Sequence, residues 1–420
     1  MLTGSDGLFA VVTLGSFALL AYAYVGYPAL LWLLGKVSRA RPTRAGEPTR
    51  WPSISIIVSA YNEEQVIGDR LRNLLGLDYP PDRLEILVGS DGSTDRTAAI
   101  VEACAGGAVR LVAFDERRGK ASVLNDLLQR ARGDVVILTD ANTFFQPDAV
   151  RALVTALWRR PTACAVVGCL ELHSPAATGN LDGGYWRYET WIKTLESHFG
   201  TVLGANGAIY AFHRARYRPL PGEAIVDDFL IPMLMRLDGG GEVFFVPAAR
   251  AYETSPARLR HELHRRTRIG AGDFQALLWT WRLLLPWKGM VAFSYFSHKV
   301  LRWLGPWLML GGFAANVFLL DRPVFRWLFL GQLAFYGLGV LAPVVRIAAS
   351  AARYFVTLNV GLGVGFVRLV LGLQRPFWST EPRSDAPGQA KTSTEFSEYP
   401  TRALVREASD AAAESRRNAA

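Results

Sequence analysis

The chain has 420 residues, half of them hydrophobic, a mean hydropathy of +0.15 and a net charge of +9, which suits one large domain plus several membrane spans better than a purely soluble protein. The positive charge comes with no zinc spacing, recognition-helix pattern or aromatic RNA motif, so nucleic acid is excluded as a partner; the basic residues crowd beside apolar runs, as at a membrane surface. Three cysteines, Cys104, Cys164 and Cys169, in no metal or redox spacing, indicate a reducing compartment.

In chain order, residues 8–34 carry no charge. The run is longer than a signal-peptide core and no Lys or Arg precedes it, so residues 1–35 predict an N-terminal transmembrane helix. Lys36, Arg39, Arg41, Arg44 and Arg50 follow with only Glu47 against them, which predicts a cytoplasmic location for what comes next. Residues 51–277 read as one domain. Apolar β-rich segments recur at 54–59, 84–89, 109–114, 135–138, 165–168, 208–212 and 243–246, with helical patterns at 64–75, 95–105, 120–130 and 147–158. Such α/β alternation predicts parallel strands whose carboxyl ends share one edge, where open sheets hold ligands. The segment 278–298 mixes Trp279, Trp281, Trp287 and Phe293 with Arg282 and Lys288, an interfacial pattern. Apolar stretches in 299–373 predict two to three further transmembrane helices, and the polar 374–420 tail is expected to be disordered.

The candidate chemistry lies at the strand ends. The first strand runs into Tyr61-Asn62-Glu63, the second into Asp91-Gly92-Ser93, and the fourth into Asp140-Ala141-Asn142; Asp227-Asp228 and Arg265-Arg266-Thr267-Arg268 come later. Carboxylates on that edge suit a cation and a polyphosphate better than they suit a core. Each also has an ordinary structural reading. Asp91 fits a turn, Glu63 and Asp95 fit helix starts, Asp227-Asp228 fits a solvated cap, and Arg265 and Arg266 fit phospholipid contacts. Trp186, Tyr188, Glu189, Trp191 and Glu196 form a stripe at helical spacing, read as core or as an acceptor surface.

Taken in order inside a membrane frame, these motifs resemble the membrane-bound family 2 glycosyltransferases, the group of cellulose, chitin, hyaluronan and poly-N-acetylglucosamine synthases. The resemblance covers about residues 52–272 and the flanking spans. It implies an α/β, GT-A-type (Rossmann-like) nucleotide-sugar-binding domain flanked by transmembrane helices. It also implies inverting transfer from a nucleotide-sugar donor, UDP-linked by preference, to a lipid-linked or polysaccharide acceptor at the cytoplasmic face of a bacterial-type inner membrane. By resemblance, Tyr61, Asn62, Glu63 and Asp91 line the base and ribose, while Lys120 and Asn125 sit by the diphosphate. Asp140 and Asn142 hold Mg²⁺ or Mn²⁺, and Asp228 is the general base with Asp227 beside it. Arg265, Arg266 and Arg268 correspond to the Gln-x-x-Arg-Trp motif near acceptor and leaving group.

Two departures matter. Asn142 replaces the second acid of the Asp-x-Asp motif, so weaker or indirect cation binding is expected, with Asn142→Asp retaining or tightening it. Arg265 and Ile269 replace the glutamine and tryptophan, which leaves single transfer about as well supported as polymerisation. The alternative prompted by Asn142 is a catalytically weak subunit that binds nucleotide or glycan for polysaccharide export proteins. A nucleotidyltransferase is disfavoured, because no phosphate-binding glycine loop follows the first strand.

Overall fold

The computed structural model describes residues 4–38, 43–173, 181–254, 259–341 and 349–374; the expected tail beyond Gln374 lies outside them. Eight strands, β1 (Ile54–Ala60), β2 (Leu84–Asp91), β3 (Val109–Phe114), β4 (Val135–Asp140), β5 (Phe144–Phe145), β6 (Ala163–His173), β7 (Tyr210–His213) and β8 (Glu242–Thr254), form one sheet in the order β3-β2-β1-β4-β7-β6-β8-β5. The first four are parallel. β7 runs antiparallel to both β4 and β6, β8 is parallel to β6, and β5 is antiparallel to β8. A Rossmann-like half thus continues into a mixed half, the GT-A arrangement expected.

The strands form where they do because both faces are covered. All seven residues of β1 are buried. Ile57 joins a core with the helix Lys120–Arg130 through Val123, Leu124 and Leu127, while Ile54, Ile56 and Val58 pack with Leu71 and Leu74 of Ile67–Leu75 and Val150 and Leu153 of Ala149–Arg159. Burial on both sides explains why these strands read as continuous apolar runs. The apolar segments at 165–168 and 243–246 are only parts of longer strands. β6 and β8 go on pairing through Glu171, Arg250 and Glu253, polar residues that hide the ladder from a hydropathy reading.

Gly4–Val37 and Ala352–Val370 are long and apolar enough to cross a membrane. The segments expected at 299–373 are the helices Gly305–Val317, Pro323–Leu341 and Ala349–Val370. The first, at 13 residues, rises about 20 Å, short of a ~30 Å hydrocarbon core. It packs on the N-terminal helix, with Phe9 stacked on Phe318 at 4.5 Å and Thr13 donating to the Gly312 carbonyl at 3.5 Å. The domain boundary expected at 277 falls inside the helix Leu259–Thr280. After it come short helical turns on which Trp281 and Trp287 are 52% and 76% exposed.

A buried ionic cluster joins these parts. Tyr27 donates to Glu196 Oε1 at 2.8 Å, and the two ring nitrogens of His298 lie 2.6 Å from Glu196 and 3.3 Å from Glu189. Arg302 donates to Glu189 Oε1 at 2.6 Å and to the Tyr188 hydroxyl at 3.0 Å. Glu189 and Glu196, in the helix Leu181–His198, are buried here, so those members of the aromatic-acidic stripe are core, while Trp191 is 43% exposed. Removing one partner of such a cluster leaves a charge uncompensated. Arg302→Met is expected to cost about 3–5 kcal/mol; thermal unfolding in detergent checks this, and an unchanged midpoint would show the cluster contributes nothing.

Candidate functional site

The carboxyl ends of β1, β2 and β4 meet on one edge because Ser59 pairs with Asp140 and Ala60 with Ser90. At its centre stands Lys120, first residue of its helix. Its Nζ lies 2.8 Å from Asp140 Oδ1 and 3.1 Å from Asp227 Oδ2. Burial alone would lower the ammonium pKa, but Asp140 and Asp227 override that and raise it. Asp227 and Asp228 open the helix Asp227–Gly239, and their environments differ. Asp227 is taken by Lys120. Asp228 accepts from the Phe229 N–H at 2.9 Å, and its pKa is pushed up to about 6, chiefly by burial and then by the Asp227 charge. Arg268 joins the pair by donating to the Ile225 carbonyl at 3.1 Å, close enough to feel both acids.

Several of the expected residues are engaged within the protein itself. Asp91 is fully buried, with one oxygen accepting the Arg118 N–H at 2.6 Å and the other the Gly119 N–H at 3.0 Å. It braces the loop leading to Lys120 and does not face an open pocket. Asn125 is also occupied: its amide donates to the Leu220 carbonyl at 2.8 Å and accepts from the Leu220 N–H at 2.9 Å and the Tyr217 hydroxyl. It clamps the 217–220 segment. Arg266 donates to the Tyr354 hydroxyl, its guanidinium 4.7 Å from that ring, and so turns to the last apolar helix. Arg265 is exposed, while Arg268 is close enough to Asp227 and Asp228 to feel both charges.

Other expected residues do gather. Asn62 has φ 53°, a conformation Asn tolerates, and accepts from the Thr94 N–H at 2.8 Å, while the Glu63 N–H donates to Thr97 at 2.7 Å. The loops after β1 and β2 are thereby tied together, with Arg117 stacked 3.8 Å over the Tyr61 ring. Oxygen donors cluster at β4. Asp140 is 35% exposed, Asn142 follows it, and the buried Oδ1 of Asn206 has no hydrogen-bond partner. Gly207 lies so close that a Cβ there would sit 2.7 Å from Asp140 Oδ2. Among the described residues no group of three or more His, Cys, Asp or Glu is placed to hold a metal. The set fits a hard cation that takes its remaining ligands from outside the chain.

Sequence reasoning missed Arg70. It is fully buried, donates to Thr139 Oγ1 at 2.8 Å and Asn73 Oδ1 at 2.6 Å, and covers Phe145 at 4.3 Å. Asn73 in turn exchanges hydrogen bonds with the Phe145 backbone. The Asp140 turn is thus pinned on both sides. Its signal was an arginine on the apolar face of a helix, in step with Ile67, Leu71 and Leu74. Asp273 was missed as well; burial pushes it up to about 7, with Lys299 opposing and Asp228 adding.

The family model described as Glycosyl transferase family 2 matches residues 55–188. The chain carries a family 2 glycosyltransferase domain. This domain is similar to the probable glycosyltransferase YdaM of Bacillus subtilis (strain 168), 30% identical over 249 residues, 54% of this chain and 56% of that one. It is similar also to the beta-monoglucosyldiacylglycerol synthase of Synechocystis sp., 27% identical over 66% of this chain and 60% of that one. A poly-beta-1,6-N-acetyl-D-glucosamine synthase of Staphylococcus epidermidis is 26% identical over 54% of this chain and 55% of that one. The chain thus matches between 55% and 60% of the length of these relatives. The mannosyltransferase PcManGT from Pyrobaculum calidifontis, solved with GDP-Man and Mn²⁺, superposes with a TM-score of 0.66 at 24% identity, over 86% of this chain and 99% of that one, and establishes the glycosyltransferase fold.

Lys120 is the shared counter-ion of this domain's acids. Lys120→Met is expected to leave Asp140, Asp227 and Asp228 repelling one another, pushing Asp228 higher still, since Lys120 now lowers it. A carboxyl whose folded pKa is raised above its ordinary 3.8 costs stability as pH rises through that raised value. The variant's loss in unfolding temperature should therefore be small near pH 4 and large at pH 8. A loss independent of pH would show that the lysine acts by packing alone.

Proposed function

We propose that the protein is an inverting glycosyltransferase that moves a sugar from a nucleotide-sugar donor, UDP-linked by preference, to a lipid-linked or polysaccharide acceptor at the membrane surface. The observation that carries it is the Lys120 bridge, which places the Asp140 turn of a nucleotide-binding sheet beside Asp227 and Asp228. The relatives' names, a glucolipid synthase and a polysaccharide synthase, support a sugar acceptor chemistry of this kind.

In this reading the acceptor hydroxyl attacks the anomeric carbon as the bond to the diphosphate breaks. Asp228 takes the proton, because it is the acid not already held by Lys120. Lys120 and Arg268 supply positive charge toward the departing diphosphate. Asp140, the Asn142 amide oxygen and Asn206 would hold a divalent cation, Mg²⁺ or Mn²⁺, which when bound neutralises developing charge on the diphosphate. Asp91, Asn62 and Glu63 shape the nucleotide pocket by tying its loops, with Tyr61 as a ring face under Arg117. The alternative, a binding subunit without turnover, is favoured only by Asn142.

Release of nucleoside diphosphate from a panel of nucleotide sugars, with and without Mn²⁺, tests the proposal; no release from any donor would favour the binding subunit. Asp140→Ala is expected to lower turnover about a thousandfold, some 4 kcal/mol of transition-state stabilisation. Asp228→Asn should bind nucleotide normally and lose transfer by a factor of about 10² to 10⁴. For the wild type, kcat/KM should fall as pH drops below about 6, where Asp228 gains its proton; a profile flat from pH 5 to 8 moves the base elsewhere.

A further inference from the structure

Strand β5 lays the Asp140-Ala141-Asn142 turn against the end of β8, since Phe144 pairs with Tyr252 and Phe145 with Ala251. There Asn142 Nδ2 donates to Glu253 Oε1 at 2.8 Å. An ionised carboxylate only accepts, so the amide nitrogen must face Glu253 and the amide oxygen must face away from it. Glu253 itself is opposite Leu172 in the β6–β8 ladder, a sheet position and not a mobile loop. We propose that Glu253 is a positioning residue of the cation site: by holding Asn142 Nδ2 it fixes the amide orientation that presents Oδ1, and it supplies nearby the negative charge that position 142 lacks. The inference rests on the reading of Asp140 as a cation ligand.

The pair reverses the sequence-based expectation for Asn142→Asp. In that variant two carboxylates would meet at hydrogen-bond distance with no donor between them, and they repel rather than hold each other in place. The exchange of charge across the pair is what should matter, so the double variant Asn142→Asp/Glu253→Gln should restore one donor, one acceptor and one negative charge.

The test is calorimetric titration of the full chain in detergent with UDP, or with GDP where the donor screen selects it, in the presence and absence of MnCl₂. Glu253→Leu is expected to weaken the Mn²⁺-dependent binding about tenfold to a hundredfold, the usual effect of losing a ligand's supporting contact, with metal-free nucleotide binding unchanged. Glu253→Gln keeps an acceptor oxygen for Asn142 Nδ2 but loses the charge, so it should weaken Mn²⁺-dependent binding by less than Glu253→Leu does. Asn142→Asp should weaken by about tenfold and the double variant should recover. Full Mn²⁺ dependence in Glu253→Leu, or tighter binding in Asn142→Asp than in the wild type, overturns the proposal. Asp140→Ala separates the levels. If it keeps Mn²⁺ dependence, the cation-site reading fails and the inference with it; if it loses that dependence while Glu253→Leu keeps it, only the inference fails.

Discussion

A single ammonium group organises the candidate site. Lys120 begins a helix, Asp140 ends β4, and Asp227 begins a helix more than eighty residues later, yet the three charges meet within 3.1 Å. Two ionised carboxylates in one partly buried place would repel, and a lone buried ammonium would be costly. Each makes the other tolerable. The mixed half of the sheet is therefore tied electrostatically to the parallel half, at the edge where the strand ends already point. Asp228, next to Asp227 but outside the Lys120 bridge, feels the same acids without the same compensation. That asymmetry separates the two neighbouring residues into a held carboxylate and one whose proton is easily gained and lost.

How much of this was legible in the sequence depends on what each residue's pattern encodes. The parallel half was readable because burial on both faces forces continuous apolar runs, and β1 and β4 differ from their expected ranges by one or two residues at their ends. β6 and β8 were legible only at their apolar centres. Backbone pairing carries them through Glu171, Arg250 and Glu253, and a ladder hydrogen bond leaves no mark in hydropathy. At the site, residue type showed which positions could do chemistry, and geometry decided which do. Asp91 ends β2 and Asn125 lies within the helix Lys120–Arg130, and their acceptors are engaged by the Arg118, Gly119 and Leu220 N–H groups and the Tyr217 hydroxyl. Arg265, Arg266 and Arg268 are close in sequence, yet helical spacing turns Arg266 to Tyr354 and Arg268 to Ile225.

Residues that hold others in place were the hardest to foresee. Arg70 makes no salt bridge among the described residues. It is tolerated because Thr139, Asn73 and the face of Phe145 meet its guanidinium while Asp140 offsets its charge at longer range. Such a residue costs stability by desolvation, and what it secures is the aim of the turn behind Asp140. Gly207 belongs to the same design. With no side chain, its backbone can close against the Asp140 carboxylate, where any Cβ would displace it.

Asp228, the base in the proposed reading, also sits where the apolar helices begin. Phe229, next to Asp228, packs at 5.9 Å on Tyr295 and 5.6 Å on Trp303, and those two rings meet each other edge-on. Tyr295 and Trp303 belong to the segment joining the interfacial turns to the apolar helices. Asp273, on the helix Leu259–Thr280, lies near Trp303 and feels Lys299 and Asp228 together. The residues from Tyr61 to Asp140 that the proposed reading assigns to the donor line the sheet edge; the groups beyond Asp228 come from helices that lead into the apolar bundle. In the proposed reading, an acceptor hydroxyl that reaches Asp228 from the side opposite the donor approaches along this boundary, which fits the lipid-linked acceptor of that proposal better than one arriving freely from solution.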